Sequence, residues 1–241
     1  MERSKAIGTA LASILLGGGA LALAGFALAS ATPHQDALQC VPTTPGNCTL
    51  TISTYPDSLA GYHGATGGAH PDWVTYSNFR WEAPANTVVH MTIKQYDGGG
   101  PLNNSFFSHV YGTTDGMATW QMPKTDAKTA DASSYEAPVT GTSVDTTQIG
   151  HTFTLRGIPQ GTTPALFVSV PLPADPANPT PVAQGTGTYP EPVLVNFSFK
   201  TGAAGTVYEW NCEFPCGGSR EGQFGYAMSS YGYMSGALTV K

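Results

Sequence analysis

Between Asn86 and Tyr96 the side chains alternate: Val89, Met91 and Ile93 fall on one face, Val88, His90 and Thr92 on the other. A period of two predicts a β-strand with one face on a core. Shorter strand-like runs recur at 105–111, 117–122, 151–155, 165–170, 193–199, 206–212 and 234–240, and one precedes them at 48–55. Gly- and Pro-rich segments separate them. The stretch 171–192 carries seven prolines and is expected to be loop, and the polar, Ala-, Thr- and Asp-rich 123–147 an excursion. No amphipathic helix and no internal repeat is evident after residue 31. Many short strands with such turns predict an all-β sandwich or barrel.

Composition narrows the setting. Charged residues are 11% of the 241, against roughly 25% in ordinary domains, and the net charge is −6. That balance speaks against nucleic acid and against an anionic membrane surface as partners. Arg3 and Lys5 precede Ala6–Leu28, which carries no charge, and Ala29-Ser30-Ala31 follows. Residues 1–31 therefore read as a signal peptide or a retained membrane anchor, and membrane contact is expected only through this segment if it is uncleaved. Either way the rest is expected to be extracytoplasmic, secreted or anchored to the outer face of the cytoplasmic membrane. Residues 32–75 read as a loosely structured lead, and 76–241 as the β domain. In the lead, Cys40 and Cys48 enclose a turn-rich loop and are expected to form a disulfide in an oxidising compartment.

Strand periodicity also places candidate chemistry. Tyr208, Trp210 and Cys212 share a face, as do Met234, Gly236, Leu238 and Val240, and His151, Phe153 and Leu155. Cys212 ends its strand, Met234 begins the next, and His151 lies near the start of a third. Antiparallel pairing would gather an imidazole, a thiolate and a thioether at one rim. Soft sulfur donors with imidazole suit copper. The weaker candidates are His90, on an outward strand face; His109, beside Phe107 and Tyr111; and His63 and His70, in the Gly-rich lead. The motifs of serine hydrolases, phosphate-binding loops and zinc proteases are absent, and a non-enzymatic role is expected.

The run Tyr208-Glu209-Trp210-Asn211-Cys212, a loop, and then Tyr233-Met234-Ser235-Gly236 resembles the C-terminal copper loop of cupredoxins. His151-Thr152-Phe153-Thr154 is similar to the segment bearing their upstream histidine, and Phe79–Ile93 to their early strand. Cys212-Glu213-Phe214-Pro215-Cys216-Gly217 also resembles the C-x3-C loop of cytochrome c oxidase subunit II. That family has a histidine four residues after the second cysteine. Arg220 stands there in this chain, and no histidine follows His151. The resemblance implies a Greek-key β-sandwich (cupredoxin-like) with loop insertions. It also implies copper held by His151, Cys212, Cys216 and Met234, with Met228 as an additional candidate. The expected role is copper binding or electron transfer in the cell envelope, with a redox protein or respiratory component as partner. The alternative is a Cys212–Cys216 disulfide, no cofactor, and a metal-free structural or interaction module.

Overall fold

A computed structural model describes residues 36–56, 74–124, 134–159, 161, 163–176, 191–216 and 227–241. Residues 1–31, expected to be a signal or anchor, and His63, His70 and Arg220 lie outside these. The described strands form two sheets. The first runs β1 (Leu38–Gln39), β5 (Arg80–Ala83), β13 (Ser235–Val240), β12 (Val207–Asn211), β9 (Ile149–Gly157) and β10 (Leu166–Pro173). The second runs β2 (Val41–Thr44), β3 (Asn47–Tyr55), β6 (Val88–Gln95), β11 (Val193–Lys200), β7 (Ala118–Gln121) and β8 (Val139–Gly141), with β4 (Thr75–Tyr76) on β3. Sequence neighbours are repeatedly split between the sheets, as in a Greek-key sandwich.

The alternation at 86–96 does what a period of two requires. In β6, Val89, Met91 and Ile93 are buried, while His90 and Lys94 are exposed. Leu50 and Ile52 of β3 and Val193, Val195 and Phe197 of β11 join them in the core. From the other sheet come Trp81, Phe153, Leu155, Trp210 and Leu238. Phe153 meets Phe197 across the interface at 5.4 Å between ring centroids. Tyr76 of β4 meets Trp210 of β12 edge to face at 4.8 Å, and Trp210 stacks on Trp81 at 4.4 Å. Such pairs add specific geometry to large buried apolar areas.

Four expectations need correction. The described part of the lead is not loosely structured: β3 pairs in parallel with β6 over Asn47–Thr54, and β1 pairs with β5. The sandwich therefore begins well before residue 76. Cys40 sits where the chain passes from β1 in one sheet to β2 in the other, and its disulfide to Cys48 is formed. Secondly, 105–108 is a 3-10 turn rather than strand, because the Asn104 side chain caps it by accepting from Phe106 N–H. Thirdly, β10 runs into the proline-rich stretch as far as Pro173. It is the edge of its sheet, where a missing N–H costs no ladder bond. Fourthly, the excursion contains β8, which pairs with β7.

Candidate metal centre

Strand register brings the candidate donors together. β12 and β9 are antiparallel, with Trp210 opposite Leu155 and Asn211 opposite Thr154. The end of β12 therefore lies against the middle of β9, and the residues that follow it run toward the start of that strand. Cys212, one residue beyond β12, has its sulfur 3.4 Å from the donating N–H of Thr152 and 3.8 Å from the Thr152 hydroxyl. The Thr152 hydroxyl in turn accepts from Glu213 N–H at 2.6 Å. β12 and β13 are also antiparallel, with Asn211 opposite Ser235, which brings Met234 beside Cys212.

His151 Nδ1 stands 2.9 Å from Cys216 Sγ and 3.8 Å from Cys212 Sγ, and the two sulfurs are 3.1 Å apart. Cys212 and Cys216 are not bonded to each other, so the disulfide expected as the alternative is not formed here. One donor atom from each of His151, Cys212 and Cys216 lies within 4.8 Å of the others, and all three residues are buried. The Phe214 carbonyl oxygen is 3.4 Å from Cys212 Sγ and accepts from Cys216 N–H at 2.7 Å, which curls the Cys-x3-Cys segment. Met234 is buried. Met228 is only half-buried and lines a surface cavity with Trp210 and Asn211. His90 is instead bonded on the outer face of the second sheet to Asn47 and Ser198, and His109 to Ser105 and Ser108.

Electrostatics differ across the cluster. Burial disfavours charge on Cys212, but the hydrogen bond from Cys216 and the His151 charge outweigh it, and its thiol is held well below the ordinary value. Burial pushes the Cys216 thiol well up, and the neighbouring Cys212 adds to that. Burial likewise lowers His151, yet Asp97 and Cys212 outweigh it and leave the imidazole raised to about 9. The two sulfurs are thus driven in opposite directions: His151 and Cys216 favour negative charge on Cys212, and burial beside Cys212 disfavours it on Cys216. Burial also pushes the Tyr76 phenol well up, with both sulfurs adding to it. Its hydroxyl donates to the Thr152 carbonyl at 3.1 Å.

Asp97 escaped the sequence reading. Its Oδ2 lies 2.9 Å from His151 Nε2, on the side of the ring away from the sulfurs. The available signal was an acid at the end of an alternating strand, followed by Gly98-Gly99-Gly100, a run that permits close backbone approach.

No family model and no curated protein matches the chain. Among solved structures it is similar to auracyanin B, at 19% identity over 88% of this chain and 99% of that one, with a TM-score of 0.30. It is also similar to reduced rusticyanin, at 13% identity over 89% and 93%, with a TM-score of 0.31. A further rusticyanin structure, described as that of a copper protein, gives 13% identity over 92% and 94%, also with a TM-score of 0.31. Likeness at such scores carries no weight for this chain. The sandwich rests on its own strand pairing.

Proposed function

We propose that the chain is a cupredoxin-like copper-binding and electron-transfer protein working outside the cytoplasmic membrane. His151, Cys212 and Cys216 hold the metal, and Met234, next to Cys212 in the sheet, is the candidate for a weaker thioether donor. The convergence of one imidazole nitrogen and two sulfurs in a buried cluster carries this reading. The donors fit copper. Two thiolates and an imidazole are a soft set, and the Asp97 carboxylate is spent on the far nitrogen of His151. Copper bound there supplies one-electron exchange. The protein's part is to fix the donors and keep water out. Thr152 holds the Cys212 sulfur through its N–H and hydroxyl, Phe214 curls the loop, and the surrounding aromatic core dries the site. The Cys40–Cys48 disulfide and the charge-free segment before it support an exported setting. A redox protein of the envelope is the partner such a role requires.

The 3.1 Å between the two sulfurs also supports a second reading. Loss of two electrons and two protons to a disulfide-bearing oxidant would join them and remove both thiolate donors. The chain would then be a metal-free, disulfide-stapled structural or interaction module. Equilibrium dialysis of the full chain against Cu(I), with free thiols counted before and after reduction, separates the two. One copper per reduced chain supports the copper site. A fully reduced chain that binds none overturns it.

A further inference from the structure

The geometry points to Asp97 as the positioning residue of this centre: its carboxylate holds His151 by Nε2 so that Nδ1 faces the Cys212 and Cys216 sulfurs. This rests on the copper reading for its purpose, but not for its geometry. The imidazole has two nitrogens, and only one can face the sulfurs. Nε2 stands 2.9 Å from Asp97 Oδ2, and Nδ1 stands 2.9 Å from Cys216 Sγ. A ring flipped about its long bond would lose both contacts. A carboxylate on the outer nitrogen fixes ring orientation and leaves the inner nitrogen free to act as donor.

Asp97 is itself held by groups that do not involve His151. Its carbonyl oxygen accepts from Gln95 Nε2 at 3.1 Å and from Asp175 N–H at 2.8 Å. Gln95 is fully buried, and its Oε1 accepts from the Thr54 hydroxyl of β3. Gly99 after it and Gly150 within β9 let this turn press onto the strand. A Cβ on Gly99 would run into the Ile149 carbonyl and come within 2.7 Å of Ala174 Cβ. A Cβ on Gly150 would strike Gln95 Nε2 and lie 2.8 Å from the Gly98 carbonyl oxygen. These two close approaches bring Asp97 within reach of a ring that is 3% exposed, while its own side chain remains 27% exposed. The main chain of Asp97 is thus fixed by Gln95 and Asp175, while its partly exposed carboxylate reaches the buried ring of His151.

The test uses the full reduced chain and its Asp97→Ala and Asp97→Asn variants. Cu(I) is titrated against a chromophoric chelator, the copper–thiolate absorption is recorded on oxidation, and imidazole ¹⁵N spectra are taken without metal. Asp97→Asn keeps an acceptor oxygen of the same size, so it serves if Asp97→Ala does not fold. The expected result is a loss of about 10–100-fold in copper affinity and a shifted absorption band for Asp97→Ala. Asp97→Asn should recover part of both, and the slowly exchanging Nε2–H signal of His151 should be lost only in Asp97→Ala. A loss of global stability alone would not produce that partial recovery. Wild-type affinity and band position in both variants overturn the proposal. If the wild type binds no copper, the function above fails, and the ¹⁵N spectra decide the positioning on their own. Loss of the Nε2–H signal in Asp97→Ala upholds it, and an unchanged signal overturns it.

Discussion

The N–H of Cys212 donates to the carbonyl oxygen of Met234 at 2.9 Å. This bond ties the residue after β12 to the residue before β13, so the thiolate and the thioether candidates are neighbours by construction of the sheet. Met234 is fully buried. Met234→Leu keeps its volume, and the metal-free protein should lose less than about 1.5 kcal/mol in urea unfolding. Copper affinity should fall, but by less than in His151→Ala or Cys212→Ser, since a thioether is the weaker donor.

Cys216→Ser separates the two states of the sulfur pair. With reductant present, this variant should bind copper more weakly than the wild type and with an altered absorption spectrum. If instead the wild type binds copper only after reduction while Cys216→Ser binds it without reductant, the native pair is a disulfide.

Phe153 lies two residues from His151 on β9 and touches both layers of the core. Its ring is fully buried, 5.4 Å from Phe197 and 5.9 Å from Trp81. Phe153→Ala should cost about 3–5 kcal/mol, read from the shift in urea midpoint at constant slope.

The Cys40–Cys48 bond spans eight residues of sequence separation. A loop that short removes little entropy from the unfolded chain, so the Cys40→Ser, Cys48→Ser double variant should lose about 2 kcal/mol. Copper binding should be unaffected, because neither residue belongs to the donor cluster. Peptide mapping without reductant should find the two cysteines joined.

The periodic part of the fold was legible in the sequence, and the local exceptions were not. Val89, Met91 and Ile93 declare their face because one side of β6 meets the core and the other does not. The run before residue 56 gave a weaker signal. β3 carries the alternation, but the Gly-rich stretch after it masks its pairing with β6, a contact between strands distant in sequence. Pro171 and Pro173 read as loop because sequence does not reveal that β10 lies at a sheet edge. At the site, period and strand ends were enough to bring His151 and Cys212 together, and resemblance added Cys216. Asp97 was missed for a different reason. It reaches His151 from the turn after β6, in the other sheet, and no periodicity on β9 or β12 points to it.

X-ray absorption at the copper edge of the reduced, copper-loaded full chain tests the metal centre most directly. The proposed site predicts sulfur scatterers from Cys212 and Cys216 together with the nitrogen of one imidazole, and loss of the imidazole signal in His151→Ala. Copper surrounded only by nitrogen and oxygen, or a spectrum unchanged by His151→Ala, would contradict it.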